Sequence, residues 1–147
     1  MIKLSIAAML ASVVTLSATT ARAEHIYLSC ANGHVKKQIY RGTGNAETTE
    51  YDIKSYTFPL DIDKDKKMIG ALQGDGDFNA VKLSASSHSE RKDGGIYSES
   101  VNINRLTGEA EFHFALLSPS TCLAQIPTCI NEFTVITYQC KPATSPF

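Results

Sequence analysis

The chain has 147 residues, 14 basic against 15 acidic, a formal net charge of −1, four cysteines and no tryptophan. So even a charge balance argues against nucleic acid or an anionic membrane surface as partner, since both reward a basic face. The length suits one ordinary domain with a single core.

Met1 to Ala23 has the form of an export signal. Lys3 supplies a charged start, Leu4 to Leu16 a 13-residue apolar run, and Ala21-Arg22-Ala23 the small-x-small pattern that a signal peptidase accepts. Spanning a bilayer takes about 20 apolar residues, so 1–23 reads as a cleaved leader and 24–147 as one exported β domain without membrane insertion. Lys3 and Arg22 leave with the leader, which makes the remaining balance 12 basic against 15 acidic, a net charge of −3. The expected address is the periplasm or the exterior, where disulfides persist.

From Ile26 onward the hydrophobic period is two rather than 3.6. Ile26, Leu28 and Cys30 alternate with other residues, Asn32-Gly33 offers the positive φ angles of a tight turn, and Val35, Lys37 and Ile39 alternate again, which predicts a hairpin. Arg41 to Glu50 has no periodicity and reads as a loop. Tyr56, Phe58, Leu60 and Ile62 mark a strand whose Pro59 favours an edge or a bulge. Turns at Asp63 to Lys66 and Gly74 to Asp77 bracket a short strand around Met68 to Leu72, and Val81, Leu83 and Ala85 mark the next. A polar loop that includes Ser84 to Ser89 is expected to end at Gly94-Gly95. Tyr97, Val101 and Ile103 then lead through Arg105-Leu106-Thr107-Gly108 into Ala110, Phe112, Phe114 and Leu116, the clearest strand pair in the chain. Ser118 to Asn131 is a loop, and Phe133 to Thr137 a last strand before Cys140.

About eight short strands joined by hairpin-length connections predict an all-β antiparallel meander, and a meander hides its edges best by closing into a small barrel. Closure makes the first and last strands neighbours. It would bring Cys30, at the end of the first strand, close to Cys140, at the end of the last. Of the three pairings that four cysteines allow, the topology therefore favours Cys30–Cys140, leaving Cys122–Cys129 to clasp a proline-containing loop. Six residues separate Cys122 from Cys129, against the two of a Cys-x-x-Cys redox or zinc element. A structural role for all four follows.

Other chemistries find little support. Asp61, Asp63 and Asp65 have the spacing that opens a calcium loop, but the sixth position is Lys66 and the twelfth Leu72, where glycine and glutamate are needed. Asp75, Asp77 and Asn79 fail the same way at Ala80 and Ser86, and turn chemistry accounts for both stretches. His25, His34, His88 and His113 lie in separate segments without metal spacing, and His113, between Phe112 and Phe114, should face outward. No G-x-S-x-G elbow is present. No catalytic residue, metal or cofactor is implied.

Two resemblances can be placed on residues. Ile103-Asn104-Arg105-Leu106-Thr107-Gly108, after an aspartate-rich turn and before the late Cys140, resembles a pattern in small exported β-rich proteins of Gram-negative bacteria with no assigned function. It spans the C-terminal two thirds of the chain and implies no chemistry, although Arg105 is free to bond nearby carbonyls. Cys30-Ala31-Asn32-Gly33, Ser84-Ala85-Ser86 and the closing cysteine are similar to the periplasmic inhibitors of C-type lysozyme, eight-stranded barrels that insert a serine-bearing loop into the enzyme's cleft. That likeness implies Ser86 as the inserted serine. The chain departs from it after the serine, where Ser87-His88-Ser89-Glu90 replaces Gly-Ala-x-Tyr, and at Tyr27, one place too far from Cys30.

The expectation is thus a secreted or periplasmic, non-enzymatic binding module whose partner is an envelope or extracellular protein, met through Arg41 to Glu50 or Ser118 to Asn131. One alternative is a lysozyme-type hydrolase inhibitor. Another is a carrier of small apolar ligands, which needs an interior that Phe58, Phe112, Phe114 and Phe133 do not fill.

Overall fold

A computed structural model of the chain describes residues 24–42, 44–54, 57–122 and 128–144; the expected leader, 1–23, lies outside them, as does Tyr56. The strands are β1 (His25–Arg41), β2 (Glu47–Ile53), β3 (Phe58–Asp63), β4 (Met68–Ile69), β5 (Leu72–Gly74), β6 (Lys82–Glu90), β7 (Ile96–Asn104), β8 (Glu109–Leu117) and β9 (Ile130–Pro142). All pairings are antiparallel. From β3 to β9 each strand pairs with the next, and β9 returns to β1, which itself pairs with β3, so eight strands close a barrel and β2 lies outside the ring. The meander and its closure are as expected, and no helix interrupts them among the described residues.

β1 departs most from its sequence reading. No hairpin forms at Asn32-Gly33; the chain runs on as one strand of 17 residues. Asn32 does take the left-handed conformation that its neighbour glycine suggests, with φ of 54°. It spends it on a bulge. Between Ala31 and His34 β1 advances three residues while β9 advances two, from Gln139 to Thr137. A turn would bond only residues 26–30 to 35–39, whereas the extended strand is bonded by β9 from Leu28 to Arg41 and by β3 and then β2 on its other edge. Long-range pairing outweighs the local signal. Gly33 is required by that packing, because a Cβ there would sit 2.6 Å from the Tyr138 ring.

Three smaller corrections concern strands paired with their neighbours in sequence. Arg41 to Glu50 is not all loop, since Glu47 onward forms β2 against β1. The strand around Met68 to Leu72 is two strands folded at Gly70, which has φ of 59°. Ser84 to Ser89, expected in a loop, lies within β6 and pairs residue for residue with β7. The β7–β8 hairpin forms as expected, with Gly108 at φ of 73° closing it. At Pro59 β3 pairs only with β1, so the residue stands where the strand has one free edge, the kind of position proline favours.

The inner positions form cross-strand rows. One row runs Leu83, Ile103, Ala110, Tyr138, and the next runs Ala85, Val101, Phe112, Ile136, Val35. Leu28, Cys30, Leu60, Ile62, Ile69 and Phe78 complete the core, with Ile62 and Val101 wholly buried. Each fully buried aliphatic of this size contributes about 1.5–3 kcal/mol. Phe58, Phe112 and Tyr138 pack edge to face with centroids 4.9–5.8 Å apart. Phe133 does not join them: alternation puts it on the outer face, 39% exposed and stacked edge-on against Tyr40. Cys30 and Cys140 are register partners joined by a disulfide across 110 residues, and Cys122–Cys129 is the second bridge. All four thiols are thereby used.

Candidate functional site: the open end of the barrel

Closure is confined to one end. β3 pairs with β1 no further than Cys30, and β5 reaches β6 only at Ala85 and Ser86. Beyond those residues six strands remain, in the order β2-β1-β9-β8-β7-β6, with free edges at β2 and at the C-terminal part of β6. The same alternation that fills the core continues onto this open sheet, and there its chemistry changes. The third inner row is Thr49, Lys37, Thr134, Phe114, Glu99, Ser87, and the fourth is Glu47, Ile39, Glu132, Leu116, Tyr97, Ser89. Apolar side chains sit among charges and hydroxyls on a face that is half-buried at β8 and β9 and exposed at both edges. Barrel mouths of this mixed character are common binding sites.

Two polar clusters occupy the face. Lys37 Nζ donates to Glu132 Oε1 at 2.7 Å. Glu99 accepts from the Tyr97 hydroxyl at 3.1 Å on one oxygen and from the Ser87 hydroxyl at 3.4 Å on the other. Burial raises the Tyr97 phenol above its ordinary value, and the hydrogen bond to Glu99 and that carboxylate's charge raise it further. The phenol stays a donor at any physiological pH.

The rim of the open end is built from the two segments singled out in the sequence. Gly42, in the β1–β2 turn, donates its N–H to the carbonyl of Cys129, in the clasped loop. Ser118 anchors that loop from its other side, its N–H donating to Asn131 Oδ1 and its hydroxyl to the Ile130 carbonyl, both at 2.8 Å. Gly94, in the β6–β7 turn, lies beside Pro119. Residues 123–127 of the clasped loop lie outside the described residues. Four of the six large apolar residues exposed on the described surface, Tyr51, Ile96, Ile130 and Phe133, belong to this half of the molecule.

Other residues of interest lie elsewhere. Ser86 is on the outer face of β6, bonded in the ladder between Gln73 and Ser100 rather than carried on a protruding loop. His25, at the closed end, donates from Nδ1 to Asp61 at 2.8 Å and lies 3.7 Å from Asp63. The Asp61 hydrogen bond raises the His25 pKa, and the Lys66 N–H holds the Asp63 carboxyl below its usual range. His34 binds Asp52 at 2.9 Å on the outer face, which lowers the Asp52 pKa, and His113 faces outward beside Glu111. Asp77 accepts from the Asn79 N–H and Asp63 from the Lys66 N–H, the turn roles expected of the two acidic stretches. Arg105 reaches the carbonyls of Asn79 and Ala80. No grouping of three or more His, Cys, Asp and Glu side chains suited to a metal occurs among the described residues, and no described helix is long and apolar enough to cross a membrane.

Sequence reasoning missed Glu99, Tyr97 and Glu132 as a set. The signal was present, since Tyr97, Glu99, Val101 and Ile103 share one face by alternation, and Lys37 stands between Val35 and Ile39. Taking only the apolar members of each alternation hid the polar ones. The chain matches no protein-family model, and no curated protein and no solved structure matches it.

Proposed function

We propose that this protein is a non-enzymatic binding module of the periplasm or exterior, and that it holds a partner protein against the open end of its barrel. The observation that carries the reading is the change in the inner rows, from aliphatic in the closed half to charged, hydroxylated and aromatic in the open half. Polar and charged groups on an inner face add nothing to a core, yet here they sit beside half-buried Ile39, Phe114 and Leu116, a mixture suited to a protein-contact surface. The packed interior of the closed half speaks against a carrier of apolar ligands. Two disulfides suit an oxidising compartment.

A photo-crosslinking residue placed at Ser89 or Thr49, on the open face, tests this against one at Asn102, on the outer face of the closed half. Discrete protein adducts at the first two positions and none at Asn102 are expected when cells are irradiated. Adducts at all three positions, or at none, would overturn the reading. N-terminal sequencing of the exported product tests the address, with Glu24 expected as its first residue.

A further inference from the structure

We infer that Glu99 is the receptor for a basic side chain of the partner protein, an arginine or lysine laid across Phe114 and Tyr97. This rests on the open end being the contact surface. Four charged residues stand in the two polar rows, and three have an opposite charge at hand: Lys37 and Glu132 hold each other at 2.7 Å, and Glu47 has Arg41 at 3.6 Å. Glu99 differs. Its partners are two neutral hydroxyls, one on each oxygen, and no cation contacts it among the described residues.

A carboxylate accepts about four hydrogen bonds, so Glu99 keeps capacity on both oxygens. The two hydroxyls orient it without neutralising it. Half-buried on the inner face, it is partly stripped of the water that would otherwise balance its charge, and this is the setting in which an incoming cation gains most. Hydrogen bonds to a carboxylate from a cationic donor are roughly twice as strong as those between neutral groups.

The neighbours narrow the class of cation. Phe114 is the direct cross-strand partner of Glu99, Tyr97 lies two residues along the same face, and Leu116 is the partner of Tyr97. Aromatic faces attract a guanidinium or ammonium, and aromatic and aliphatic carbon suits the methylene stem behind it. A bare metal ion would find one carboxylate and two hydroxyls, a poor ligand set. A cation on an apolar stem fits better. On a partner protein that description is arginine or lysine.

The test uses the full mature protein, isotopically labelled, with Nα-acetyl-arginine amide as probe and its uncharged citrulline counterpart as control. The arginine probe should move the backbone amides of Tyr97 to Val101 and of Phe114, saturating at about 1–10 mM. The citrulline probe should bind about tenfold more weakly, the difference expected of one charged hydrogen bond. Glu99→Gln, which keeps the shape of the side chain, should abolish the preference for arginine while leaving the melting temperature in place. Spermidine is the third arm. Tight binding of spermidine together with indifference to the arginine probe would assign the site to free polyamines and overturn the inference, as would equal shifts from arginine and citrulline. Should Glu99→Gln destabilise the fold, salt decides in the wild type: the arginine shifts must weaken between about 0.05 and 0.5 M salt, and their persistence would overturn the assignment. Partner adducts formed equally by Glu99→Gln and wild type would reject Glu99 while leaving the open-end reading intact; absence of adducts at Ser89 and Thr49 would reject the reading itself.

Discussion

The two halves of this barrel share strands β1, β6, β7, β8 and β9, yet they are made differently. In the closed half each inner position meets others across the ring, and the residues there are aliphatic, aromatic or cystine. In the open half no described strand stands opposite the same strands, and the inner rows carry Glu47, Glu99, Glu132 and Lys37. One strand therefore obeys two rules along its length. β7 shows it plainly, with Ile103 and Val101 wholly or almost wholly buried and Glu99 and Tyr97 only half so. Stability resides in the first half and surface chemistry in the second, so a substitution should be costly or cheap according to its row rather than its strand.

The largest effects should come from breaking the closed half. Replacing Cys30 and Cys140 by alanine opens a loop of 110 residues, for which the chain-entropy model gives a loss of about 5 kcal/mol, against about 2.5 kcal/mol for the Cys122–Cys129 bridge. Denaturant titration of the two double variants should rank them in that order; the reverse order would move the weight of the fold to the rim. Next comes Ile62→Ala, at a position with no exposure, with an expected loss of about 2–5 kcal/mol. Its counterpart in the open half, Thr134→Ala, should cost less than about 1 kcal/mol. Equal costs would erase the contrast between the halves.

Gly108→Ala sharpens the account of closure. The residue has φ of 73°, and an added Cβ would clash with the Cys140 carbonyl oxygen, where backbone and not a flexible side chain must yield. A loss of about 1–3 kcal/mol is expected in thermal melts. The smallest effect concerns pH. His25 has its pKa raised above 6.5, first by the Asp61 hydrogen bond. The stabilisation it brings is therefore complete below the unfolded value and fades as pH climbs through the folded one. Asp63, lowered from 3.8, works the other way: its contribution is present above that value and fades as pH falls through the folded one. His25→Gln should flatten the melting temperature between pH 6.5 and alkaline pH, and Asp63→Asn should flatten it on the acid side. Both groups sit at the closed end, so photo-crosslinking through the open end should be untouched by either.

Much of this architecture can be read from residues alone, because strand alternation and turn chemistry are local. Tyr97 to Leu116 announces its hairpin through period-two patterning and a Thr-Gly close. The closed meander follows from strand count and short connections, and it brings Cys30 to Cys140. The polar rows were harder to read because a charged residue within an alternation looks the same whether its face is inward or outward. Only the register of four neighbouring strands puts Lys37, Glu99 and Glu132 on one inner face.

Composition, periodicity and cysteine placement were thus sufficient for an all-β barrel with two bridges, since each depends on residues near one another in sequence or on the ends of a simple meander. Tertiary structure alone decided that Asn32-Gly33 bends a strand instead of turning it, that Ser84 to Ser89 belongs to a strand, that Phe133 faces out, and that the barrel stays open at one end. For Ser84 to Ser89 the deciding hydrogen bonds come from the next strand, β7, whereas for β1 they come from a distant part of the chain. β9 pairs with β1 from about a hundred residues away, and no local propensity of about 1 kcal/mol outweighs a ladder of that length.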